Sequence, residues 1–243
     1  MNRIVKVGFA ALAFAVAAPV FADEAEATTP EVEVEEGVAI GWTPFAIGLI
    51  SPVQLPWGSA TWDVYGLDLG LLYMDTAKVY GLGVNGIASR NRDDVIGLYV
   101  SGLCNYSEKD VYGIRTTLGI NICKGEGYGL EAAGFSYRKD FKGVDCNFLG
   151  AMQDNVSGVQ LGGLANVSRV QSFGLTGAIG VNIATTAYGC QAAGIFNMTE
   201  ELHGAQIGVV NFAEQCPWGF QIGLVNIIMD NTIKVLPIVN GYF

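Results

Sequence analysis

The chain has 243 residues, 51% of them hydrophobic and only 15% charged, with a formal net charge of −10 at pH 7. Thirty-three glycines punctuate it, and the absence of a basic stripe argues against a nucleic-acid partner. The five cysteines are odd in number, irregular in spacing and contain no C-x-x-C, so they do not spell a disulfide framework or a metal site, and most read as small apolar side chains.

Residues 1–22 carry Arg3 and Lys6, then an apolar stretch, then Val20-Phe21-Ala22 as a small-residue cleavage site. This is the pattern of a secretory signal, too short in its apolar part for the ~20 residues of a membrane span. Cleavage after Ala22 is expected. Residues 23–37 are acidic and lack aromatics, as a short disordered lead does. Residues 38–243 are expected to form one repeat β-domain.

In that domain a unit of about 15 residues recurs, opened each time by a glycine: Gly66, Gly81, Gly97, Gly113, Gly129, Gly143, Gly158, Gly174, Gly189, Gly204 and Gly219. Within a unit the residues alternate, as on a strand whose side chains point to opposite faces. In GFQIGLVNII, Phe220, Ile222 and Leu224 oppose Gly219, Gln221, Gly223 and Val225. The position two after the lead glycine is nearly always polar, holding Asp68, Gly83, Tyr99, Arg115, Glu131, Asp145, Gln160, Thr176, Gln191, Gln206 and Gln221. Other charges gather between the units, among them Arg90, Arg92, Lys109, Arg138, Lys139 and Asp154, which are read as turn residues. Trp57, Trp62, Tyr65, Tyr80, Tyr112, Tyr128, Tyr188 and Trp218 stand near unit starts, where an aromatic girdle would lie. The last segment, TIKVLPIVNGYF, ends on an aromatic, and its Pro237 predicts a bulge or an early strand end.

The units GAQIGVVN and GFQIGLVN, of the form G-x-Q-[IL]-G-x-x-N, resemble an uncharacterised family of bacterial glycine-rich surface-repeat proteins. Ser51–Tyr73 and the closing LPIVNGYF look like that family's first and last segments. The resemblance runs over roughly residues 38 to 243 and is clearest near the C-terminus. It implies an exported cell-envelope protein and brings no activity or catalytic residue with it.

Chemistry is hard to find in the sequence. His203 is the single histidine, so any Ser-His-Asp or Cys-His arrangement would depend on it, and no G-x-S-x-G elbow is present. No glycine run precedes a Lys-Ser/Thr pair as a phosphate loop requires. We therefore expect no catalysis, no cofactor and no metal.

Two architectures fit an apolar face opposed to a small or polar one. The favoured expectation is an antiparallel transmembrane β-barrel of about 12 strands in the bacterial outer membrane or at the cell surface, structural or a small channel, with the lipid bilayer as its partner. Asp68, Arg115, Glu131, Asp145, Gln160, Gln191, Gln206 and Gln221 would face its lumen, with Arg115, the only cation among them, paired to Glu131. Arginine at Gln206 or Gln221 should then be tolerated, whereas arginine at Ile207 or Ile222 should not. The alternative is a surface-exposed β-solenoid, one unit per coil, acting as a binding or scaffold module.

Overall fold

The computed structural model describes residues 41–242, so the expected signal (residues 1–22) and the expected acidic lead (residues 23–37) lie outside the described residues. The strands are β1 (Trp42–Ile50), β2 (Val53–Leu55), β3 (Asp63–Thr76), β4 (Val79–Asn85), β5 (Ala88–Asn91), β6 (Val95–Ser101), β7 (Cys104–Ser107), β8 (Val111–Thr117), β9 (Ile120–Gly162), β10 (Ala165–Ala178), β11 (Val181–Ala193), β12 (Phe196–Ile207), β13 (Val210–Ile228) and β14 (Val235–Tyr242). A short 3-10 turn, Ser59–Thr61, precedes β3.

The antiparallel barrel is not what forms. From β3 to β13 every strand pairing between successive units is parallel, and the path is a β-solenoid. Each unit of about 15 residues is one coil rather than one membrane-crossing strand. Coil follows coil most plainly where corners interrupt the strands. In one coil β4 and β5 lie on two different sides, and in the next β6 stacks on β4 while β7 stacks on β5. Farther on the chain bends without losing its ladder, so β9 runs through several sides as one continuous element.

The lead glycine has a physical reason. All eleven have φ between 115° and 144°, a region costly to residues with a Cβ. They also stack directly: a Cβ on Gly174 would come within 2.2 Å of the carbonyl oxygen of Gly158, and one on Gly204 within 2.0 Å of that of Gly189. Each coil rests its backbone on the previous glycine, which holds the register Gly174–Gly189–Gly204–Gly219.

The two ends depart from the coil. At the start β2 pairs antiparallel with β1, which itself runs parallel to β3. At the finish β14 folds back antiparallel on β13, from Tyr242 against Gly219 to Val235 against Ile227, and covers its edge. Pro237 falls where that register shifts, and the next residue, Ile238, has φ 69°.

Candidate functional site

The coil interior is largely polar. A strip of Val64, Val79, Val95 and Val111 lines it beside the charged corner, continued later by Val156, Ala187, Leu202 and Cys216. Away from that strip most inward residues are amides, hydroxyls and charges, with Met74, Cys123, Ala184, Ala213 and Ile228 among the apolar exceptions. Asp68, Arg115, Glu131, Asp145, Gln160, Gln191, Gln206 and Gln221 are all buried in one column, two residues past each lead glycine. They face a packed stack and not a water-filled lumen, because there is no barrel to enclose one. The tolerance expected of Gln206→Arg and Gln221→Arg loses its basis here, since neither site has free space beside it. Ile207 and Ile222 lie on the outside, both more than two-fifths exposed.

A buried amide is costly unless its hydrogen bonds are made, and stacking makes them. Gln221 Nε2 donates to Gln206 Oε1 at 2.7 Å, and Gln206 Nε2 to Gln191 Oε1 at 3.0 Å. A second column is built from asparagines. Asn166 donates to Asn182, Asn182 to Asn197, Asn197 to Asn211 and Asn211 to Asn226, at 2.8–3.1 Å. Their amides also donate to corner carbonyls, such as Asn182 to Ala192 and Asn197 to Ile207. Gln160 breaks the first column: neither amide atom has a hydrogen-bond partner. Its neighbours are already engaged, Asp145 with Asn147 and Gln153, and Thr176 with Ser172.

Four charges share the middle of the stack. Arg115 Nη2 lies 3.2 Å from Glu131, and its Nη1 reaches the Ser107 hydroxyl and the Ile122 carbonyl. Arg138 contacts the other Glu131 oxygen and lies 3.7 Å from Asp145. The charge pattern of the sequence places Arg138 in a turn. It is in fact buried, on the inner face of the other side of the coil, and it stacks on the Phe141 ring at 4.2 Å. With it the cluster contains two cations and two acids. Burial pushes the Glu131 carboxyl up, but the Arg115 and Arg138 guanidiniums outweigh it and hold it below the usual carboxylate range. Burial wins at Asp145, which rises to about 6 despite Arg138. Asp68 stands apart, accepting from Tyr99 Oη and Asn85 Nδ2, and burial raises it too.

The outer surface is layered. One corner of the coil carries the charged residues, in pairs such as Lys109–Asp93, Lys142–Glu126 and Arg169–Asp154. Next to it runs an aromatic ladder on the residue before the lead glycine. Tyr65 stacks on Tyr80 and Tyr112 on Tyr128, each at 4.9 Å, and Tyr188 stacks on His203 at 4.5 Å. His203 thus serves as a rung of this ladder, with Nε2 2.8 Å from Glu201. An open depression of about 370 Å³ at the charged corner is lined by Glu126, Asp140, Lys142, Asn155 and Gln171 among others. Among the described residues no group of three or more His, Cys, Asp or Glu side chains is placed to hold a metal ion. The five cysteines are free thiols, Cys123 and Cys216 buried and Cys146 exposed.

No protein-family model matches the chain, and comparisons with curated proteins and with solved structures gave no significant match.

Proposed function

We propose that the chain is a non-catalytic β-solenoid scaffold, exported and held at the bacterial cell envelope, whose outer surface is a platform for binding. The observation that carries this reading is the unbroken stack of eleven lead glycines in one ladder, which keeps the glycine-led sides of successive coils in register although the ladder shifts at Ser168–Gln171 and Glu201–His203. Such a stack presents long, regular surfaces, the property that repeat proteins use for binding. The signal pattern of residues 1–22 and the resemblance to surface-repeat proteins support export.

The test is fractionation of expressing cells combined with N-terminal sequencing. Mature protein should begin at Asp23 and partition with the envelope. A cytosolic product that begins at Met1 would overturn the reading.

A further inference from the structure

The side of the coil opposite the charged corner is an apolar ridge. It is formed by residues five or six places after each lead glycine, including Leu118, Phe148, Ile179, Ile195 and Leu224. These side chains project strongly: Leu118 is 86% exposed, Phe148 81%, Ile179 76% and Leu224 71%. Among the described residues, none at this corner carries a charge. We propose that this ridge docks on a lipid bilayer, the solenoid lying along the membrane surface with the ridge in the acyl boundary and the charged corner in water.

Three observations choose lipid over another occupant. Polarity is graded across the coil, from ion pairs through the Tyr–His–Trp ladder to faces on which few charges such as Arg90 remain and then the ridge, in the order of water, headgroups and hydrocarbon. Ridge N–H groups are bonded within the stack: Leu118 N–H donates to Gly102 at 3.1 Å, Ile179 N–H to Gly163 at 3.2 Å and Ile195 N–H to Gly180 at 3.1 Å. The asparagine column caps corner carbonyls from within, as Asn211 does for Ile222. These bonds reduce the cost of bringing the corner's backbone into hydrocarbon, where peptide groups must be bonded internally. Finally, the ridge is made of projecting side chains that recur along the stack, with two exposed together at Leu71–Leu72, Phe148–Leu149 and Leu224–Val225, a form that can enter a fluid.

This inference rests on the scaffold reading for its use of the outer surface but not on export, so vesicle binding by purified protein tests it separately. The probe is flotation of the chain recovered from cells with phosphatidylcholine vesicles, which carry no net charge, at low and high salt. Wild type should float at both. Leu118→Asp/Ile179→Asp/Ile195→Asp together should lower partitioning roughly tenfold or more, because burial of apolar area supplies the binding. Lys124→Ala/Lys139→Ala, at the charged corner, should float like wild type. Circular dichroism checks that each variant keeps its β-fold. If the aspartate variant fails to fold, asparagine at the same three turn positions replaces it. Equal flotation of wild type and ridge variant would overturn the proposal, as would no flotation of wild type. A wild-type dimer that the ridge variant converts to monomer, with no vesicle binding, would assign the ridge to a second copy instead.

Discussion

Arg115 illustrates how much a single interior side chain holds in this fold. Removing one partner of a buried pair leaves the other charge stranded, at a cost of about 3–5 kcal/mol. Arg115→Ala should lower the unfolding free energy by about that much, whereas Lys109→Ala, in an exposed pair, should change it by less than about 1 kcal/mol. Urea denaturation of both variants measures the difference. Gln160 predicts the reverse sign. A buried amide without partners costs about 1–3 kcal/mol, so Gln160→Met, which keeps the length and loses the polar atoms, should stabilise by about 1 kcal/mol or more in the same assay. Asp145 adds a pH dependence. Its folded pKa of about 6 lies above the unfolded value of 3.8, so the folded state binds more protons in that window. Stability from this group is therefore present below pH 4 and is lost as pH rises to 6. The difference in unfolding free energy between wild type and Asp145→Asn, followed from pH 4 to 6, should shift steadily in the variant's favour.

The coil is the element, and its limits were only half written in the sequence. The lead glycine was legible because a positive φ and a carbonyl at about 2 Å admit no other residue. The facing of Gln206 and Ile207 was legible too, since alternation along a strand is the same in any sheet. Strand direction was not. A unit of 15 residues fits one long strand with a turn as well as two short runs with two corners, and alternation does not record which way the next strand runs. The asparagines seven or eight residues past most lead glycines, such as Asn182, Asn197 and Asn211, fit a closed turn, a ladder or a lumen equally well, so they did not by themselves reveal a second side. Arg138 was missed for the same reason. It sits on that second side, facing in, where the single-strand reading has only a turn. The contrast between two glycines of one coil tests the assignment. Gly174→Ala meets the Gly158 carbonyl at φ 119° and should cost about 3 kcal/mol or more, given about 1–3 for such backbone strain alone. Gly177→Ala meets only the flexible tip of Leu161 and should stay within about 0.5 kcal/mol. Thermal melts of the two variants separate the cases.

At the scale of the molecule, the described domain is a one-dimensional stack in which each coil touches its neighbours, so its ends need protection. Antiparallel β14 supplies it by occupying the edge of β13. A chain ending at Asp230 should expose a row of unpaired N–H and C=O groups and associate end to end, visible as a rise in mass by light scattering. The largely polar interior that suggests a barrel lumen is also what lets many apolar side chains stand outside: two apolar clusters remain within, and the amide columns join the coils with bonds that run along the axis.

Those two columns run in opposite senses. Every asparagine from Asn166 to Asn211 donates toward the C-terminal end, while Gln221 and Gln206 donate toward the N-terminal end. A row of aligned amides polarises itself and, as in an α-helix, would build opposite partial charges at its two ends. Set side by side and reversed, the rows offset one another. Where both columns run, the stack can gain or lose a coil without charging its tips, so its length is electrically free to vary.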